Sequence, residues 1–141
     1  ALRGRPVVLA MVYTSCENAC PVIVEDLQRI ERALPPAQRE RVTFALVSFD
    51  PARDTPAALA AYRHQRGLER GRWHLLTGDA EEVLELAAVL GMKYAPDGYG
   101  GFSHSSLITV LDDEGVVRHQ QVGVNQDPAR TVAVLRGLLG S

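Results

Sequence analysis

The sequence contains few cysteines, little net charge and no long hydrophobic run. Two cysteines among 141 residues exclude a small secreted scaffold held together by several disulfides. A formal net charge of −2 gives no basic face, so no nucleic-acid partner is expected. Motifs of serine hydrolases, phosphate-binding loops and zinc proteases are absent. The apolar run at residues 6–12 is too short to span a bilayer.

The length indicates one domain, residues 1–141. A chain of this size buries roughly 70% of the surface that its unfolded form exposes, so it needs neither a metal nor a disulfide in order to fold. The chain opens at Ala1 rather than at an initiating methionine. We therefore expect any signal sequence or membrane anchor to lie upstream of it.

Hydrophobic periodicity predicts strands and helices in the order β-α-β-α-β-α-β-β-α. Strands are predicted at residues 6–13, 42–49, 73–76, 106–111 and 116–121. The first helix is predicted to begin within residues 18–21 and to end at residue 34, and further helices are predicted at 55–66, 79–90 and 127–139. The glycine-rich residues 94–104 are predicted to be irregular. Early parallel crossovers followed by a late hairpin indicate a three-layer α/β sandwich with a central mixed sheet.

Cys16 and Cys20 lie where the first strand gives way to the first helix, and the carboxyl end of a strand is a usual place for a functional site. A disulfide between them would close a loop of about five residues and stabilise the folded chain by only about 2 kcal/mol. A stabilising role therefore does not explain why the two cysteines are present. A helix N-terminus also favours the thiolate. The C-x-x-x-C spacing suits a metal chelate or a redox disulfide, and a metal would need a third ligand from elsewhere.

The four histidines differ in their predicted surroundings. His64 lies among charged residues on the second helix, and His119 lies in the last hairpin strand, so both are predicted to be exposed. His74 follows Trp73 in a short strand, where packing is the simplest role. His104 ends the glycine-rich segment directly before a strand, and from there a side chain can reach across the carboxyl ends of neighbouring strands.

Several motifs make the sequence resemble the SCO/SenC family of thioredoxin-like copper proteins. They are the strand and C-x-x-x-C-P element at residues 12–21, the run VSFDPARDTP at 47–56 and LTG at 76–78. His104, followed by a strand and an acidic turn, resembles the metal-binding histidine of the family. The resemblance spans essentially the whole chain and implies a thioredoxin-like fold with copper bound by Cys16, Cys20 and His104.

The chemistry of these donors agrees with copper. Thiolates favour Cu(I), and an imidazole extends the site to Cu(II). The resemblance further implies a monomeric copper chaperone on the periplasmic side of the bacterial inner membrane. Its partner would be an apo copper-enzyme subunit, such as one of cytochrome c oxidase, or another copper chaperone. It also implies an N-terminal membrane anchor and a leading hairpin, both expected upstream of this chain.

Three features depart from the family pattern: Glu17, Ser103 and the form of the loop at residues 99–102. Glu17 stands where proline is common after the first cysteine, and its charge is expected to raise the pKa of the thiols. Ser103 precedes His104 where many members have aspartate, and Asp50 or Asp54 could supply that carboxylate instead. These two aspartates equally fit ordinary turn and capping roles.

Three alternatives to a copper chaperone stay open. The cysteine pair could serve a periplasmic thiol-disulfide oxidoreductase that acts on the cysteines of a copper-site partner, a role that does not need His104. The pair could also be an inert disulfide or belong to a peroxidase-like protein, although so small a loop stabilises weakly. A hydrolytic zinc site with Glu17 as the base has suitable ligand types and no further support. Whether the chain is an enzyme depends on which hypothesis holds.

Overall fold

A computed structural model describes residues 5–12, 19–48, 55–68, 72–91, 94–96, 102–104, 107–123 and 127–139, without the side chains of residues 19–21, 80, 94–96 and 102–104. The strands are β1 (Val7–Val12), β2 (Thr43–Ser48), β3 (Trp73–Leu76), β4 (Tyr94–Pro96), β5 (Phe102–His104), β6 (Leu107–Leu111) and β7 (Val117–Val122). The helices are α1 (Ala19–Ala33), α2 (Pro36–Arg39), α3 (Pro56–Arg66), α4 (Ala80–Leu90) and α5 (Ala129–Leu139).

Five strands form a mixed sheet in the order β3-β2-β1-β6-β7. β1 pairs in parallel with β2, and β2 pairs in parallel with β3. On its other side β1 pairs antiparallel with β6, with Ala10 opposite Ile108, and β6 pairs antiparallel with β7. Every residue of β1 is buried, as the continuous apolar run predicted for a central strand.

Helices cover both faces of this sheet. α1 packs on β1, α5 packs on β7, and the two helices contact each other, so they share one face. On β7 the side chain of Gln120 donates to the carbonyl of Leu90 in α4, whereas that of Gln121 accepts from Thr131 in α5. Because successive strand side chains point to opposite faces, α4 lies on the face opposite α5. The predicted three-layer sandwich is confirmed.

The predicted helix ends are confirmed where capping residues marked them. The Thr55 hydroxyl accepts from the backbone N–H of Ala58 and opens α3, and Gly67 closes it with φ of 66°. At α4 Asp79 and Glu82 form a reciprocal capping box. These side chains satisfy backbone N–H groups that a helix N-terminus leaves without partners.

Two segments of the chain differ from the prediction. Residues 36–39 form the short helix α2, which begins with a proline at its first position and ends in Arg39. The Arg39 guanidinium donates to the carbonyls of Glu31 and Leu34, so α2 satisfies acceptors at the end of α1. The prediction that residues 94–104 are irregular is wrong for six of them, because β4 and β5 pair antiparallel with Tyr94 opposite His104.

A half-buried polar cluster joins α1 to β3. The Glu31 carboxylate accepts from the indole N–H of Trp73 at 2.9 Å and from Nε of Arg72 at 3.0 Å. The Trp73 ring is 1% exposed and stacks on Phe44 of β2 with 4.8 Å between ring centroids. Glu31 thus supplies the hydrogen-bond acceptor that a fully buried indole requires.

We expect Glu31→Ala to lower the free energy of unfolding by about 1–3 kcal/mol, because the buried indole N–H of Trp73 loses its acceptor. Glu31→Gln should cost less, since an amide oxygen can still accept from the indole. Urea unfolding measures both, with Glu25→Ala on the exposed face of α1 as the control. An alanine variant as stable as that control would contradict the role given to Glu31.

The turn between β6 and β7 is organised by one carboxylate. Asp112 accepts from the backbone N–H groups of Val116 and Glu114, both at 2.9 Å, and from Nε of Arg118 at 2.8 Å. The pairing of β6 with β7 skips Arg118: Val110 pairs with His119, and Leu111 pairs with Val117. The backbone hydrogen bond from Val116, helped by Arg118, holds the pKa of Asp112 below its usual 3.8, although burial acts in the opposite direction.

Because the pKa of Asp112 is lower in the folded chain than in the unfolded one, its contribution to stability is complete above the unfolded value of 3.8 and is lost as the pH falls through the folded value. We expect Asp112→Asn to be less stable than wild type near neutral pH, with a gap that narrows below 3.8. Urea unfolding across the acid range tests this, with Asp113→Asn as control because Asp113 is exposed in the same turn. A gap independent of pH would contradict it.

Candidate metal centre

The first helix follows the first strand of the sheet in the chain after a short intervening segment. β1 ends at Val12 and α1 begins at Ala19, within the range predicted from the sequence. Cys20 is the second residue of α1, so its backbone lies in the first helical turn. Cys16 and Glu17 lie in the intervening segment, outside the described residues. A thiolate at a helix N-terminus is favoured by the unsatisfied N–H groups there.

Strand pairing brings the predicted histidine to the same end of the sheet. β6 begins at Leu107, three residues after His104, and its second residue, Ile108, pairs with Ala10 of β1. Adjacent strands lie about 4.8 Å apart. Three residues span at most about 11 Å, and the four from Val12 to Cys16 span at most about 14 Å. The chain segments that carry both predicted ligands are therefore tethered to neighbouring strands at one end of the sheet.

The hairpin of β4 and β5 fixes the backbone on the histidine side. His104 is the last residue of β5 and is paired with Tyr94, and Ser103 is paired with Ala95. The side chains of His104, Ser103 and Cys20 are not among those described. Asp50 and Asp54, the carboxylates suggested for support of the histidine, also lie outside the described residues.

The described residues at the carboxyl end of β1 and beside it on β2 are apolar and buried. Met11 and Val12 at the end of β1 are 3% and 4% exposed, and Val47 of β2 is buried beside them. Within the described ranges no three histidine, cysteine or acidic side chains cluster as a metal site would require. That part of the chain offers no competitor to the predicted ligands Cys16, Cys20 and His104.

The other histidines have ordinary surroundings, with one correction. His64 is exposed on α3 as predicted, and His74 is half-buried in β3. The prediction that His119 is exposed is wrong, because α5 packs over its side of β7 and leaves it half-buried. Burial, and then the positive charge of Arg130, lower the pKa of His119 below 6.5. The polar sequence VRHQQV of β7 is typical of an exposed strand. It does not reveal that α5, which comes later in the chain, packs on this strand.

The described chain contains no helix long and apolar enough to span a membrane. Its fold is shared with solved structures of Sco proteins. A structure of Bradyrhizobium japonicum ScoI with copper bound superimposes with a TM-score of 0.72 at 24% identity, covering 97% of this chain and 87% of the other. BsSco, a Sco-family cytochrome c oxidase assembly protein with a disulfide switch, gives 0.83 at 23% identity, covering 99% and 83%. The fold is therefore thioredoxin-like, as predicted.

Sequence comparison gives the family. A proposed copper-binding protein of Stutzerimonas stutzeri is 31% identical over 121 residues, which cover 83% of this chain. The chain spans 58% of the length of that relative. The family model described as SCO1/SenC matches residues 1–140. A match over nearly every residue, together with the shared fold, leads to one conclusion: the chain belongs to the SCO1/SenC family.

Proposed function

We propose that this chain binds copper through Cys16, Cys20 and His104 and passes it to a respiratory copper enzyme such as cytochrome c oxidase. The observation that carries the proposal is the strand register, which tethers the segments bearing Cys16 and His104 to adjacent strands β1 and β6. The family, the copper-bound relative of the same fold and the oxidase-assembly relative support it.

The donor set fits copper. Two thiolates are soft ligands that select Cu(I), and one imidazole also suits Cu(II). Three protein ligands leave a position open, and an open position allows the ion to be handed on to another protein. The copper ion is therefore the cargo of this site. The described residues next to it, Met11 and Val12, are buried and apolar, so they add no competing charge.

Location and partner belong to the same proposal. We expect the chain to act as a monomer on the periplasmic side of the inner membrane, anchored by a segment upstream. Its partner would be an apo copper-enzyme subunit or another copper chaperone. The name of the BsSco relative, a cytochrome c oxidase assembly protein, supports the choice of an oxidase subunit.

If the ligands are assigned correctly, loss of the cysteines should abolish tight Cu(I) binding, and loss of His104 should weaken Cu(II) binding. Anaerobic titration of the reduced protein with Cu(I), against a competing chelator, should show tight one-to-one binding that the Cys16→Ser/Cys20→Ser variant loses. His104→Ala should weaken Cu(II) binding by more than about 100-fold, because loss of a direct ligand exceeds the effect of a supporting residue. His64→Ala, an exposed histidine on α3, is the control. Unchanged Cu(II) affinity in His104→Ala would remove that residue from the site.

A second candidate is a thiol-disulfide oxidoreductase that uses the same cysteines. A cysteine pair at a strand-to-helix junction of a thioredoxin-like fold favours it, and the disulfide switch named for BsSco agrees. When Cys16 and Cys20 reduce a disulfide of the partner, the pair forms its own disulfide, the two electrons and two protons pass to the partner's cysteines, and no thiolate remains for copper. His104 has no necessary part in such a reaction.

The two candidates differ in whether the reduced wild-type chain binds Cu(I) tightly and in a one-to-one ratio. For a chaperone, the oxidised protein should bind Cu(I) far more weakly than the reduced one, because its thiolates are lost. For an oxidoreductase, His104→Ala should keep the rate of disulfide exchange with a reduced peptide dithiol. Stopped-flow exchange and Cu(I) titration on the same samples separate them. Weak, non-stoichiometric Cu(I) binding by the reduced wild type would favour the oxidoreductase.

A further inference from the structure

The side-chain amide of Gln120 on β7 joins the end of α4 to β6. Its nitrogen Nε2 donates to the backbone carbonyl of Leu90 at 2.8 Å and to the Thr109 hydroxyl at 3.2 Å. A primary amide carries two N–H donors, so these two bonds use both of them. Because the carbonyl of Leu90 can only accept, the nitrogen of the amide and not its oxygen must face that carbonyl. The amide is therefore held in one orientation.

The two acceptors of this amide belong to buried residues. Leu90, which is 5% exposed, is the last residue of α4, and the last four carbonyls of a helix have no partner within the helix. Gly91 closes α4 with φ of 74°. Thr109 is 1% exposed on β6. Gln120 thus gives the Leu90 carbonyl a donor from outside the helix and fixes the end of α4 against β6 and β7.

Leu90 and Thr109 lie on either side of the hairpin that carries His104. Leu90 precedes Tyr94, the first residue of β4, by four residues, and Thr109 follows His104, the last residue of β5, by five. Tyr94 and His104 pair with each other across the hairpin. Within the described chain the hairpin forms a two-stranded sheet of its own, outside the five-stranded sheet. Its placement therefore depends on how its two flanks are held, and one amide bonds to both flanks.

We propose that Gln120 is a positioning residue for His104, which it places by holding both flanks of the β4–β5 hairpin together on β7. The inference rests on the proposed function, because that function makes His104 a copper ligand. Cys16 and Cys20 follow β1, and neither flank of the hairpin carries them. Loss of the Gln120 amide should therefore reduce the contribution of the imidazole to copper binding and spare that of the thiolates.

Adjacent glutamines on β7 provide a matched test. Gln120→Met keeps the length of an exposed side chain and removes both donors. Gln121→Met is the control, because Gln121 bonds to Thr131 of α5 on the opposite face of the same strand. Gln120→Met should weaken Cu(II) binding roughly three- to tenfold, the factor that one neutral hydrogen bond supplies, and should retain tight Cu(I) binding. Gln121→Met should bind both ions as wild type does.

The ratio of Cu(II) to Cu(I) affinity separates positioning from a general loss of stability. A merely structural role would lower the free energy of unfolding in both variants and leave this ratio unchanged. Unchanged Cu(II) affinity in Gln120→Met, or the same loss in Gln121→Met, would overturn the proposal.

Hydrogen exchange of the metal-free reduced protein tests the hold on the hairpin without copper. By NMR, the amides of residues 94–95 and 102–104 should exchange roughly three- to tenfold faster in Gln120→Met than in wild type, for the same loss of a hydrogen bond. In Gln121→Met they should exchange at the wild-type rate. Equal hairpin exchange in the two variants would overturn the proposal. If wild type binds no copper, the proposed function fails, and these rates alone decide whether Gln120 holds the hairpin.

Discussion

Because β1 is hydrogen-bonded to β2 on one side and to β6 on the other, its register determines which chain segments meet at the carboxyl end of the sheet. Both of its faces are buried, so a slip by one residue would exchange the side chains on both faces and disrupt the core. Cys16 follows Val12 by four residues and His104 precedes Leu107 by three, so both depend on this register. The proposed metal centre thus follows from the packing of one apolar strand.

Some of the described ion pairs join different elements or cross a turn. These pairs lie at the end of the sheet opposite the carboxyl end of β1. Arg72 bridges Glu31 and Glu40 before β3 begins, and Arg118 pairs with Asp112 beside the start of β7. Charged clusters there stabilise the fold without adding fixed charge near the proposed ligands. Under the proposed function, the charge at the copper site changes whenever the ion binds or leaves. Because the ion pairs of Arg72 and Arg118 are far from that site, this change has little effect on them.

Elements were predicted correctly from the sequence where the residues that determine them lie close together in the chain. β1 was predicted because its apolar run is continuous, and α3 because Thr55 and Gly67 mark its ends within a few residues. The half-burial of His119 could not be predicted, because it depends on α5, which packs on β7 through tertiary contacts. The pairing of β4 with β5 was missed because glycine-rich segments carry weak strand propensity. The candidate ligands came from motif and family resemblance, and only the sheet topology relates their segments in space.

The supports for the proposed ligands differ in strength. Cys20 lies on the 15-residue helix α1, whose apolar side is buried against the sheet. His104 lies on the hairpin of β4 and β5, which forms a separate two-stranded sheet of three residues a strand. An isolated hairpin of this size is marginally stable by itself. Under the proposed function, we expect the imidazole to leave the ion at lower cost than the Cys20 thiolate does. A chaperone that must retain its cargo and then release it to a partner is served by such an unequal set of ligands.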